Sequence, residues 1–303
     1  MDERTVRVAA QEGGERIDKY LAAYGEPFVS RNFVQSLIAD GRVRVNGSVV
    51  NRPSFRLSAG DVIEVVLPLP PSPVPEPEAI PLDIVYEDGS VIVVNKPRGM
   101  VVHPAPGNTE GTLVNALLAH CELRGVGSKE RPGIVHRLDK GTSGLMVVAK
   151  EPMAYMDLVR QLQARTVVRR YVAFVHGKVP DERWTVNAPI GRDPLNRQRM
   201  AVLPDGKPAV THFTCLERFG AFSSVRAELV TGRTHQIRVH MAHIGHPLVG
   251  DRRYGAPRDP ALPDEGIALH AYRLEFVHPR TGELLSFEAD LPEDMRRLRK
   301  TLG

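Results

Sequence analysis

The chain has 303 residues, with 40 Lys and Arg against 36 Asp and Glu, a formal charge of +4 at pH 7 and an isoelectric point near 9.1. That length predicts about two domains and a sizeable core, and the mild basic excess permits a nucleic-acid partner without requiring one. Two cysteines, Cys121 and Cys215, are too few for a disulfide framework and fit a reducing compartment. The charged start Met1-Asp2-Glu3-Arg4 and the lack of any run of about eighteen apolar residues argue against a signal peptide and a membrane span, so a cytoplasmic location is expected.

Ser30 is suited to cap a helix in which Phe33, Val34, Leu37 and Ile38 form an apolar stripe, and Gly41 to end it. Val43 to Val50 then reads as two short strands about Asn46-Gly47, a favoured two-residue hairpin turn. Between residues 31 and 56, Arg31, Arg42, Arg44, Arg52 and Arg56 stand against one acid, Asp40. Such a cluster is usually a solvated face; on an RNA-binding surface it neutralises phosphates and fixes position rather than base identity. From Pro68 to Pro81, seven prolines in fourteen residues exclude a helix or central strand and predict a semi-rigid linker. Its extended reach is up to about 40 Å. The expected division is a small domain at 1–67, the linker at 68–81 and a larger domain at 82–303.

Beyond the linker, Ile84 to Glu87, a turn at Asp88-Gly89 and Val91 to Pro97 read as a hairpin. The run His136-Arg137-Leu138-Asp139-Lys140-Gly141-Thr142-Ser143-Gly144 sets a carboxylate between cations and a Gly/Thr/Ser turn, ahead of the apolar Leu145 to Ala149. A loop of this kind projects a reactive group from a sheet edge, although Asp-Lys-Gly alone is most often a solvated turn. Phosphoryl transfer through an aspartate would need Thr directly after Lys140, where Gly141 intervenes, and no Gly-x-x-x-x-Gly-Lys-Ser/Thr cradle occurs. Met153 to Arg165 is predicted to be a helix with Met156, Val159 and Leu162 on its apolar stripe. Val168 to Gly177 is predicted to be a strand with Tyr171 on one face, where an aromatic is most often core. His235, His240, His243 and His246 crowd together, but without His-Glu-x-x-His or paired cysteines no metal is expected. Strands broken by isolated helices, with no repeating βαβ pattern, predict an α+β domain on a mixed, largely antiparallel sheet.

Three segments in order, His136-Arg137-Leu138-Asp139, Arg169-Arg170-Tyr171-Val172 and Gly232-Arg233-Thr234-His235-Gln236-Ile237-Arg238, resemble the motifs of the pseudouridine synthases that modify large-subunit ribosomal RNA and related RNAs, their bacterial type D subgroup most of all. Residues 14–67 resemble the S4 RNA-binding domain, an α/β module. The resemblance implies a pseudouridine synthase fold with the site across its sheet and Asp139 as nucleophile. It implies Tyr171 against the target base, Arg238 paired with Asp139, Arg137 bracing a flipped geometry, and the crowded histidines in a helix that supports the third motif. It also implies 23S ribosomal RNA or the pre-50S particle as partner, the helix 69 stem-loop as target, no cofactor, and a monomer.

The chemistry gives these residue types a reason. Breaking an N-glycosidic bond, turning the uracil and rejoining it through carbon needs an ionised carboxylate beside the sugar, either to attack the anomeric carbon or to take the C2′ proton. Both routes stay open. An Arg partner keeps that carboxylate ionised in a dry pocket, and a guanidinium plane can stack in the gap a flipped base leaves. The competing expectation, an RNA-binding assembly factor without chemistry, would tolerate loss of Asp139, Tyr171 and Arg238, and all three are present.

Overall fold

The chain divides into two compact units, residues 1–72 and 73–303. The computed structural model describes every residue except 1–3, 12, 26, 29, 68–73, 106–107, 124, 197–198, 265 and 303. The first unit runs β1 (Arg4–Ala9), α1 (Ile17–Tyr24), α2 (Arg31–Ala39), β2 (Val43–Val45), β3 (Ser48–Val49) and β4 (Val62–Leu67), with an antiparallel sheet in the order β1-β4-β2-β3. Ser30 caps α2 by accepting the amide of Phe33 at 3.2 Å, and Gly41 follows the helix at φ 68°. Asn46 and Gly47, at φ 50° and 82°, make the tight turn between β2 and β3. Val8, Ile17, Leu21, Val34, Leu37 and Ile63 close a core that belongs to this unit alone.

The arginines of this unit are not equivalent. Asp18 is fully buried and accepts from Arg16, Arg31 and Gln35. Burial alone would raise its carboxyl, but those donors outweigh burial and hold it far below the usual range. Arg31 is therefore tied into the fold while its side chain stays 44% exposed. Arg44 and Arg56 are exposed and donate to the carbonyls of Gly47 and Gly14, Arg52 is exposed, and Arg42 is half-buried.

The second unit runs β5 (Ile84–Glu87), β6 (Val91–Lys96), α3 (Leu113–His120), the short pair β7 (Gly127–Ser128) and β8 (Arg131–Pro132), β9 (Ser143–Ala149), α4 (Pro152–Ala164) and β10 (Val168–His176). Then come β11 (Arg183–Asn187), the pair β12 (Ile190–Arg192) and β13 (Met200–Val202), β14 (Val210–Phe219), β15 (Phe222–Leu229), α5 (Gln236–His243), β16 (Leu269–Val277), β17 (Leu284–Glu288) and α6 (Glu293–Leu302). The main sheet has the order β11-β14-β15-β10-β16-β9-β6-β5, with β17 also on β16. Its pairings are antiparallel except β9 with β16, so the mixed, largely antiparallel sheet expected from the sequence is the one that forms.

Both faces of β6 and β9 are covered, which is why these strands read as continuous apolar runs. Val91, Val93, Leu145 and Val147 meet Ala154 and Leu158 of α4. Ile92, Val94, Met146 and Val148 join Leu113 and Leu117 of α3 and Ile237 and Met241 of α5 in a second cluster. Gly144 sits where β9 meets β16: a Cβ there, already strained at φ 119°, would lie 2.3 Å from the carbonyl oxygen of Ala271.

Two expectations need correction. α4 forms, but it turns Ala154, Leu158 and Gln161 inward, leaving Met156 71% exposed and Val159 and Leu162 half-buried. The apolar spacing marked one stripe, while the sheet takes its neighbour. The proline tract is also bound along its second half. Glu78 N–H donates to Asn115 O, Asn115 Nδ2 to Glu76 O, and Gly111 N–H to the Glu78 carboxylate. Extended backbone leaves amides and carbonyls unpaired, and α3 with the turn before it takes them up. Residues 68–73 lie outside the described residues.

Candidate active site

The segment between β8 and β9 bends at Val135 and His136 and turns again at Lys140 and Gly141. His136 Nε2 accepts the amide of Val147 at 3.1 Å, and Leu138 is buried in the core. His136, Arg137, Leu138 and Asp139 all line a cavity of about 600 Å³, a volume in the range of small-ligand sites. A turn closes behind them with Thr142 N–H donating to Asp139 O.

A second layer braces this loop. Lys96, fully buried, donates to the carbonyls of Pro97 and Met100, both at 2.8 Å, and so fixes the turn whose Gly99 N–H donates to Lys140 O. Burial, and secondarily the charge of Arg98, pushes the Lys96 ammonium down to about 7 against the pull of Asp139. Arg98 donates to the carbonyls of Gly141 and Ile267 and pairs with Asp294 of α6 at 2.7 Å.

Tyr171 reaches the same cavity from β10. Opposite Arg170 and Tyr171 the register slips because β16 carries one extra residue, Tyr272, a bulge beside Tyr171. Arg169, two residues earlier on the same face, also lines the cavity; it is buried, and its Nε has no hydrogen-bond partner among the described residues.

Arg238 comes from the buried face of α5. Its Nη1 donates to Asp139 Oδ2 at 2.9 Å, while Nε and Nη2 grip Asp251 at 2.7 and 2.9 Å. Asp251, itself buried, thus fixes the guanidinium that meets Asp139. Burial would raise the Asp139 carboxyl; the Arg238 guanidinium, through its charge and its hydrogen bond, together with the charge of Arg137, outweighs it and holds the group below its ordinary value. Burial would likewise lower the Arg238 guanidinium, but the two carboxylates raise it further above its usual range.

The four residues Asp139, Tyr171, Arg238 and Arg137, named from the sequence, therefore share one cavity. Further partners complete the site. His235 lies 3.9 Å from Asp139 Oδ1, and Tyr254 touches both His235 and Arg238. His103, pushed down to about 4 by burial and then by Arg137 and Arg131, lines the same wall. Arg169 and His235 had usable signals, since they lie inside the motif segments that carry Tyr171 and Arg238; Tyr254 had none. Among the described residues, Arg131, Arg137, Arg165, Arg169, Arg233 and Arg238 line the cavity with Asp139 as the one carboxylate, which makes it a site for a polyanion.

The crowded histidines do not share one helix: His235 precedes α5, His240 and His243 lie on it, and His246 lies beyond it. His240 binds Thr211 and Ala188 O, and His246 binds His176 O. No group of three His, Cys, Asp or Glu is placed to hold a metal among the described residues. Nor is any helix among them long and apolar enough to cross a membrane.

Residues 90–243 match the model of the RNA pseudouridylate synthase family, and residues 15–63 match the S4 domain. The chain is 46% identical to ribosomal large subunit pseudouridine synthase D of Pasteurella multocida over 300 residues, 95% of this chain and 91% of that one. Human RNA pseudouridylate synthase domain containing 1 superimposes with a TM-score of 0.55 at 26% identity, over 74% of this chain and 96% of that one. An uncharacterized RNA pseudouridine synthase of Bacillus subtilis is 52% identical over 303 residues, 100% of this chain and 99% of the relative. Agreement at half of all positions along the full length of both chains makes this protein a member of the RNA pseudouridine synthases, isomerases that act on uridine in RNA, with an S4 domain near its N-terminus.

Proposed function

We propose that this enzyme converts specific uridines of 23S ribosomal RNA to pseudouridine in the cytoplasm, acting as a monomer on the free RNA or the pre-50S particle, with the helix 69 stem-loop as its target. The observation that carries the reading is the contact of Asp139 with Arg238 at 2.9 Å inside an arginine-lined cavity: an ionised carboxylate set in a site built for a polyanion. The Pasteurella relative is named for the large ribosomal subunit, which supports that class of RNA.

Asp139 acts on the ribose, by attack at C1′ or by taking the C2′ proton. In either route the uracil leaves with the bonding electrons, turns, and bonds to C1′ through C5. C5 loses its hydrogen and N1 gains one, so atoms balance and no cofactor is consumed. Tyr171 stacks on the uracil, and Arg137, exposed at the cavity wall, fills the gap left by the flipped base. The Arg31, Arg42, Arg44, Arg52 and Arg56 cluster adds phosphate contacts.

The test is tritium release from 5-tritiated uridine in ribosomal RNA. Asp139→Asn keeps the shape and removes the anion, so turnover is expected to fall at least about 100-fold while RNA affinity stays within a few-fold. Turnover above a hundredth of wild type would remove Asp139 from this role. Pseudouridine mapping in a deletion strain tests the target: unchanged helix 69 uridines would redirect the search to other sites.

A further inference from the structure

His235 stands in the left-handed conformation, φ 57°, immediately before α5, and this seats its imidazole between Tyr254 and Asp139. Nδ1 is 2.8 Å from Tyr254 Oη, and Nε2 is 3.9 Å from Asp139 Oδ1. The phenol decides the tautomer. Tyr254 Oη already accepts the amide of Met200 at 3.0 Å, and among the described residues the acceptor for its own proton is His235 Nδ1. With Nδ1 accepting, the proton of the neutral ring sits on Nε2. Burial, opposed by Asp139, drives the imidazole down to about 4, so it is neutral at pH 7.

That Nε2–H faces Oδ1, the carboxylate oxygen that Arg238 leaves free, across a distance beyond hydrogen-bond reach. It is thus open to a group bound against Oδ1. The Tyr254 ring lies 5.0 Å from the Arg238 guanidinium carbon, so one tyrosine orients both polar neighbours of Asp139.

We propose that His235 is a catalytic residue: its Nε2–H, held in that tautomer by Tyr254, donates to a uracil carbonyl oxygen as the glycosidic bond breaks. This rests on the reading that Asp139 acts at the sugar. As the N1–C1′ electrons leave with the uracil, negative charge spreads onto its carbonyl oxygens, and O2 is the one beside the carbon that Oδ1 must approach. A neutral imidazole steadies that charge without handing over its proton, so the ring stays nucleophilic at C5. Fixed donors of this kind typically contribute about 100- to 1,000-fold in rate.

The first measurement is independent of activity. In 15N NMR of histidine-labelled full-length protein, His235 should show a protonated Nε2 and an unprotonated Nδ1, with the preference relaxed in Tyr254→Phe, which keeps the ring beside Arg238. The second is the single-turnover rate of tritium release at saturating RNA. His235→Ala should slow it about 100-fold or more with RNA affinity within about threefold. His235→Gln, which keeps an N–H donor, should recover at least about tenfold of that loss. Both replacements bear the same left-handed backbone, so their difference reports the donor. Tyr254→Phe should slow the wild type but not His235→Gln. A protonated Nδ1, a His235→Ala rate within about threefold of wild type, or His235→Gln no faster than His235→Ala each overturns this proposal alone. A wild-type protein that releases no tritium from ribosomal RNA overturns the functional reading as well.

Discussion

Arg238 holds two carboxylates on one guanidinium, and that double duty makes it the residue whose loss is felt in two ways. In Arg238→Ala both Asp139 and the buried Asp251 lose their partner, a change expected to cost about 3–5 kcal/mol in urea unfolding. Adding Asp251→Asn removes one uncompensated charge and should recover part of that stability but none of the activity. The pH dependence follows from the sign of the Asp139 shift. Its folded-state pKa is depressed, so the ionised form and the stability it lends are present above the ordinary carboxylate range and are lost as pH falls through the depressed value. Without the guanidinium, burial dominates and the acid limb of the single-turnover rate should move to higher pH; an unmoved limb would mean that Arg238 does not set the ionisation of Asp139. Asp139, Tyr171 and Arg238 were legible because each lies in a short motif with its own spacing. Asp251 and Tyr254 were not, because the contact depends on a turn that brings residues 13 and more positions beyond Arg238 back against its side chain.

At the scale of elements, Gly144 is where sequence and architecture meet most tightly. Gly144→Ala must push β9 away from the Ala271 backbone and hold a side chain at φ 119°, together expected to cost about 2–4 kcal/mol. Because Ser143 Oγ bonds His270 Nδ1 at the same junction, the saturated rate should fall too. Gly89→Ala, where a Cβ meets nothing within 4 Å, is the control and should stay within about 0.5 kcal/mol. If both variants unfold at the same urea concentration, the close approach of β9 to β16 does not limit the sheet. The elements carried by local chemistry were readable in advance: the Ser30 cap, the Asn46-Gly47 turn and the β5–β6 hairpin. The buried face of α4 was not, because helical spacing names stripes without saying which one the sheet will occupy. The docking of Glu76 and Glu78 onto α3 was equally hidden, since proline content forbids regular structure but is silent about what extended backbone binds.

For the whole molecule, the decisive fact is that each unit owns its core. Removing residues 1–72 should leave a folded second unit with a cooperative unfolding transition and an intact single-turnover rate at saturating RNA. The truncated form should bind ribosomal RNA more weakly. The slope of log affinity against log salt should shrink by about 0.7–0.9 for each phosphate that the arginine cluster neutralises in the full-length protein. Arg31 is expected to contribute less to that slope than Arg52, because Asp18 already engages its guanidinium. Loss of the saturated rate in a folded truncation would make the first unit part of the chemistry.

The brace on the Asp139 loop also imposes an order in time. Arg98 clamps Gly141 while anchored to Asp294, and Asp294 comes 196 positions later in the chain. Ser143 likewise waits for His270, 127 positions on. During synthesis at about 5–20 residues per second, the loop that carries Asp139 therefore waits roughly 8–30 s before the last piece that steadies it has been made. A nascent chain that has not yet reached Asp294 therefore carries all three motifs without the clamp on Gly141 that steadies the Asp139 loop.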